Sequence, residues 1–219
     1  MVAAYQRRQC RALNVCPITD TSPGTSVSVP RETGDPDRQK GEMMPHTPVL
    51  HASAHSRSAA DLTAADRTRL RQLLDTYITT QDPVGEHLAA QNNPGLMIHD
   101  TGFLAWHAVF VGKLENWLVV NGAADMVPLP FWDPATAIPV ELDKGNTAPN
   151  LPLPDALRPG AIAAIPNYTA VNAEMVDYHN RVHNAAGGQL PFPATSPSDP
   201  LFWPLHAFLL NVYDHWRAH

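Results

Sequence analysis

The chain reads as a mainly α protein, a four-helix bundle with long proline-rich irregular connections. Three features predict this. Four segments repeat apolar residues at helical spacing, the stretch from 123 to 173 is dense in proline with few strand signals, and histidines sit on or beside the apolar stripes. With 219 residues, the chain accommodates one core-forming domain, 46–219, behind an N-terminal tail, 1–45. The tail is rich in Arg, Ser, Thr, Pro and Gly and has no sustained apolar run, so it is expected to be disordered. Met43-Met44 offers an alternative start for the protein.

The first helix is expected in DLTAADRTRLRQLLDTYI, where Thr63 and Asp66 form a capping-box pattern and Leu70, Leu73, Leu74, Tyr77 and Ile78 follow helical periodicity. It should stop at Asp82-Pro83. VGEHLAAQNNPG then reads as a short helical turn or loop carrying His87, closed by Asn93-Pro94-Gly95. LMIHDTGFLAWHAVFVGKLENWLVVNG reads as the second helix, with His107, Phe110, Val111, Leu114 and Leu118 on one face and Gly122 as its stop. The proline-rich connection follows and should wrap the core as irregular structure. A third helix, about Ala173 to Ala186, turns Met175, His179, Val182, His183 and Ala186 inward and ends at Gly187-Gly188. A fourth begins near Asp199-Pro200 and carries His206, Leu209, Leu210 and Tyr213 along one side, with Pro204 delaying its regular hydrogen bonding.

Charged residues make up 16% of the chain and the net charge is −6, which argues against a basic nucleic-acid surface or a membrane-binding face. No run is long and apolar enough to span a bilayer. The residues after Arg7-Arg8 supply no hydrophobic core for an export signal, so the chain is expected in the cytoplasm, or exported with a partner. The 2 cysteines, Cys10 and Cys16, both lie in the tail, so neither a disulfide framework nor a thiolate metal site is expected in the domain. Any metal must be held by nitrogen or oxygen.

Nitrogen is abundant, with 11 histidines. His87, His99 and His107 precede the proline-rich connection and His179, His183 and His206 follow it, all on or beside apolar stripes, whereas His46, His51, His55, His215 and His219 lie in the tail or at the chain end and are expected in solvent. One buried histidine is commonly a hydrogen-bonded core residue. Six converging neutral imidazoles are hard to satisfy without metal, and three nitrogens per ion make two ions. All-imidazole sites with an open position suit copper, zinc, iron or nickel. In HNRVH, His179 and His183 lie one helical turn apart and can reach one ion. Asn180 stands where a zinc protease of the H-E-x-x-H type carries its general base, and an amide cannot take up that proton, so zinc hydrolysis is disfavoured.

HNRVHNAAGG followed by SPSDPLFWPLHAF resembles the second-copper signature of the tyrosinase and catechol oxidase family of dinuclear type 3 copper proteins. HDTGFLAWHAVFVGKLE is similar to the first-copper signature, PLPFWDP is similar to the family's proline-aromatic-Trp-Asp connection, and the similarity covers roughly residues 57 to 217. The chain looks like a short bacterial-type member. The resemblance implies a four-helix bundle with two copper ions at its centre, held by His87, His99 and His107 and by His179, His183 and His206. It implies oxidation of phenolic substrates by O₂ to o-quinones, from o-diphenols and possibly monophenols. Asn180 matches the residue thought to position a water for phenol deprotonation, with Glu174 closer in sequence than the usual glutamate partner, and Trp106 and Phe202 look like packing residues around the site. In members of this kind, a helper protein can load the copper.

The chain departs from the family pattern at Ala108, where Arg is usual, at Leu205, where a histidine is usual, and at Leu210, where Asp is usual. These departures suggest a weakened polar shell around the ligands and, in particular, a His206 with no carboxylate partner, whose ring proton a backbone carbonyl, another side chain or a water must then accept. The second copper is therefore expected to be lost with acid more steeply than the first. They also motivate a second reading, a non-catalytic member that binds oxygen or partners another oxidase. Because the chain ends soon after the fourth helix, an open pocket, or one covered by a second chain, is expected.

Overall fold

A computed structural model describes residues 56–219. The expectations for the tail, its cysteines, the alternative start and His46, His51 and His55 lie outside the described residues. The described residues contain five α-helices: α1 (Ala64–Gln81), α2 (Pro83–Gln91), α3 (Phe103–Val120), α4 (Tyr168–Ala186) and α5 (Phe202–Arg217). Among the described residues there is no named strand, and pairing is limited to isolated bridges, Ser58 with Phe131 and Asn146 with Gly187. The described residues form a helical bundle. α3 packs on α1, α4 and α5, α4 also packs on α5, and the short α2 lies against α1.

α1 starts as its sequence dictates. The Thr63 hydroxyl accepts the Asp66 N–H at 3.1 Å and donates to the Asp66 carboxylate at 2.8 Å, while Leu70, Leu74 and Tyr77 are buried. Asp82 ends it in the left-handed conformation, φ 47°, and caps the next helix by accepting the Gly85 N–H at 3.0 Å, with Pro83 in the first turn. The segment expected as a turn or loop is therefore a regular helix, α2, because one aspartate serves as both stop and cap.

α3 is shorter than expected. Residues 96–101 form successive turns, so His99 lies ahead of the helix. Gly102 occupies the cap without a side chain to offer, and a Cβ there would lie 1.9 Å from the Leu96 carbonyl oxygen, so the turns close directly onto its backbone. α4 begins earlier than expected because the Asn167 side chain accepts the Ala170 N–H at 3.0 Å and caps it straight after Pro166. It stops at Gly187, φ 66°. α5 begins slightly after the expected Asp199-Pro200. The buried Asp199 carboxylate accepts from Leu201 N at 3.0 Å, Gln189 N at 3.2 Å and Asn146 Nδ2 at 2.9 Å, which locks the approach to the helix. Pro204 is tolerated in the first turn, where its missing N–H has no intrahelical partner to lose.

The proline-rich connection wraps the core as irregular structure with short 3₁₀ turns, and it contributes buried Met126, Leu129, Trp132, Leu142, Leu157 and Ile162. Buried Glu115 of α3 holds it by accepting the Leu129 N–H at 2.8 Å. No helix among the described residues is long and apolar enough to cross a membrane.

Candidate metal centre

The bundle brings the six inward histidines together as two triads. His87 of α2, His99 of the turns and His107 of α3 offer ring nitrogens that all lie within 4.8 Å of one another, as do those of His179 and His183 on α4 and His206 on α5. The triads face each other: the His107 and His206 rings stack at 4.6 Å, and His99 and His179 stack at 6.2 Å. Apolar rings close the surroundings, with Phe202 stacked on His206 at 3.9 Å, Phe103 4.6 Å from both His107 and His179, and Trp106 5.5 Å from His87. Trp106 and Phe202 thus pack around the centre. His215 and His219 are exposed and away from it.

Four of the six rings are anchored through Nδ1. His107 meets the Phe103 carbonyl at 3.0 Å, His206 the Phe202 carbonyl at 2.7 Å, His183 the Leu190 carbonyl at 2.8 Å and His179 the Asn180 Oδ1 at 3.0 Å. An oxygen acceptor requires Nδ1–H as the donor, which leaves the Nε2 lone pair as the free ligand atom on each of these rings. Each of these Nε2 atoms is buried without a hydrogen-bond partner, as are both nitrogens of His87. Such an orphan costs about 1–3 kcal/mol unless something accepts its lone pair. A metal ion in each triad would satisfy them, and an uncharged imidazole donor set fits copper.

The electrostatics agree. Burial, reinforced by the neighbouring imidazoles, pushes His87 down to about 3, with the Pro193 carbonyl opposing weakly from outside hydrogen-bond geometry. Burial likewise lowers His183 to about 4, His99 by a smaller margin, and His107, His179 and His206 well below the ordinary imidazole range. The rings are neutral at pH 7 and ready to ligate. A cavity of about 340 Å³ is lined by Asp100, Tyr168, Asn172, Asp177 and Asn180 among others, which include the chain neighbours of His99 and His179 but none of the six histidines.

No carboxylate meets the His206 ring at Nδ1, which faces a main-chain carbonyl instead. Ala108, Leu205 and Leu210 are buried members of the apolar core, and main-chain carbonyls together with Asn180 hold the rings in place. His206 in particular has its partner one helical turn back, at Phe202. Sequence reasoning missed Asn172 and Gly102. Asn172 lies two turns before His179 on the same helical face, a signal that was available, whereas its contacts with residues 68 and 72 positions away carried none.

The family model described as the common central domain of tyrosinase matches residues 161–219, which contain His179, His183 and His206. A tyrosinase from Streptomyces lincolnensis is 25% identical over 203 residues, covering 65% of this chain and 72% of that protein. A tyrosinase from Streptomyces antibioticus is 43% identical over 42 residues, 19% of this chain and 15% of the relative. The chain is thus similar to tyrosinases, most specifically over residues 161–219. No solved structure matches it significantly. The matched region carries one triad complete, and the other is assembled from residues before it.

Proposed function

We propose that the chain is a copper-dependent oxidase of phenols, with His87, His99 and His107 holding one copper and His179, His183 and His206 the other. The observation that carries this reading is the pair of facing triads whose buried Nε2 lone pairs have no protein partner. When bound, the copper pair supplies two-electron redox chemistry with O₂, so that two o-diphenols and one O₂ give two o-quinones and two waters. The protein's own part is positional. The carbonyls of Phe103, Phe202 and Leu190 fix the tautomers, and Phe103, Phe110 and Phe202 keep the ligand nitrogens dry. Asn180 accepts from His179 and leaves its amide NH₂ to donate to an oxygen in the adjoining cavity, which serves as the approach for the phenol. No glutamate lines that cavity beside Asn180, so diphenol oxidation is the main activity and monophenol hydroxylation is weak or missing.

The deciding experiment loads the purified protein with copper, counts metal per chain and follows quinone absorbance with a catechol. Two coppers and turnover are expected. Two bound coppers without turnover would instead support the second reading, a non-catalytic oxygen-binding or partner protein. Full loading of the isolated chain would remove the need for a copper-loading helper.

A further inference from the structure

α3 starts without a side-chain cap, yet its first turn is not left open. Asn172, a buried residue of α4 with 4% of its surface exposed, reaches across and accepts the Leu104 N–H through Oδ1 at 3.1 Å. Its Nδ2 donates to the Asp100 carbonyl at 2.8 Å. With a donor facing a carbonyl and an acceptor facing an N–H, the amide can take only one orientation. The Tyr168 hydroxyl reinforces the tie, lying 3.3 Å from both Asn172 Oδ1 and the Thr101 carbonyl.

The positions of these partners give the tie its meaning. Asp100 directly follows His99, Leu104 begins the turn that carries His107, and Asn172 lies two helical turns before His179 on the same face of α4. One side chain therefore joins the helix of the second triad to both the turn and the helix start that present two members of the first. We propose that Asn172 is a positioning residue that sets the first triad against the second, an inference that rests on reading the histidines as two ligand triads. Neither nearby alternative replaces it. Aspartate keeps the acceptor for Leu104 but buries a charge facing the Asp100 carbonyl, and leucine fills the volume but leaves both backbone groups orphaned.

The test compares wild type with Asn172→Leu, Asn172→Asp and the milder Tyr168→Phe. Copper(I) is titrated against a competing chelator, and amide hydrogen exchange is measured on the metal-free proteins. In Asn172→Leu and Asn172→Asp, one copper should stay at wild-type affinity while the other weakens by about 10–100-fold, the usual range for loss of a group that orients ligands. Exchange should quicken over residues 99–104 while α5 stays protected, and Tyr168→Phe should move both readouts the same way by less. A merely structural role would weaken both coppers together and quicken exchange throughout. That result, or two unchanged affinities with unchanged exchange at 99–104, overturns the proposal. If the Asn172 variants fail to fold, Tyr168→Phe decides by the same criteria. If wild type binds no copper, the proposed oxidase function fails, and the exchange pattern of the metal-free proteins still decides whether Asn172 holds the 99–104 segment.

Discussion

The two triads are built to different standards. In the second, His179, His183 and His206 all project from long helices, all are buried, and each ring is anchored at Nδ1. In the first, His87 comes from a nine-residue helix with neither nitrogen anchored, His99 sits half-buried in the turns, and His107 alone has an anchor among the described residues. Coordination of the proposed copper by the second triad would need little rearrangement. Coordination by the first would have to hold a turn in place, which would cost ordering entropy and depend on braces from elsewhere. The family match over 161–219 covers the better-built half.

This contrast can be broken or sharpened by experiment, the largest effect coming first. His206→Ala removes one proposed ligand of the anchored triad and the ring stacked on His107. We expect one copper per chain instead of two and quinone formation at background, while exposed His215→Ala changes neither, and metal analysis of both variants checks this. Two tightly bound coppers without His206 would mean that α5 contributes no ligand.

Leu210→Asp is the next largest. Had His206 lacked a partner, the aspartate would have rescued copper retention at mildly acidic pH. Because the Phe202 carbonyl already holds Nδ1 and Leu210 is 1% exposed, the variant instead buries a carboxylate, and chemical denaturation should show a loss of about 3 kcal/mol with no gain in copper retention. Improved retention would show that the carbonyl anchor is inadequate.

Gly102→Ala tests the weaker half directly. Its Cβ would strike the Leu96 carbonyl and push the turns carrying His99 aside, so first-triad affinity should fall by about 10–100-fold, on the order of 1.4–2.7 kcal/mol, while the second copper stays. Equal loss of both coppers would put the two triads in one cooperative unit.

The smallest effect per residue is on pH dependence. His87 and His183 titrate at about 3 and about 4 in the folded chain and near the ordinary 6.5 when unfolded. As pH drops below 6.5 the unfolded chain takes up protons that the folded chain refuses, so metal-free stability should fall by up to about 1.4 kcal/mol per pH unit for each such ring, and stay flat with respect to them above 6.5. Denaturation of the metal-free protein from pH 7 down to 4.5 checks the sign. In the copper-loaded protein, acid should release the first-triad copper before the second. That reverses the order expected from the missing carboxylate, because His99 is the least enclosed of the six rings.

Much of the bundle was legible in the sequence because its signals are local. Thr63 with Asp66, the stripes of α1 and α3 and the glycine stop after α4 act within a turn or two of the chain, and the spacing of His179 and His183 is set by helix geometry alone. The errors fell where a local signal had two readings. Asp82-Pro83 marks a helix end and equally a helix start, and the run from Leu96 is apolar enough to pass for helix although Gly102 delays it. Asn167, directly after Pro166, was a cap in plain view, and missing it cost α4 its first turn.

By itself the sequence determined a helical domain, six histidines grouped three and three about a proline-rich connection, and side chains suited to nitrogen ligation. Tertiary structure alone decided which nitrogen each ring presents. That choice depends on where a carbonyl such as Leu190, brought back by the turn after α4, comes within hydrogen-bonding distance. It also decided that Ala108, Leu205 and Leu210 are compatible with ordered ligands, since main-chain oxygens are present whatever the side chain and leave no trace in residue identity. Nor could the sequence show Asn172 capping a helix 68 residues away, because a hydrogen bond of that span is fixed by how α3 and α4 pack and not by any spacing along the chain.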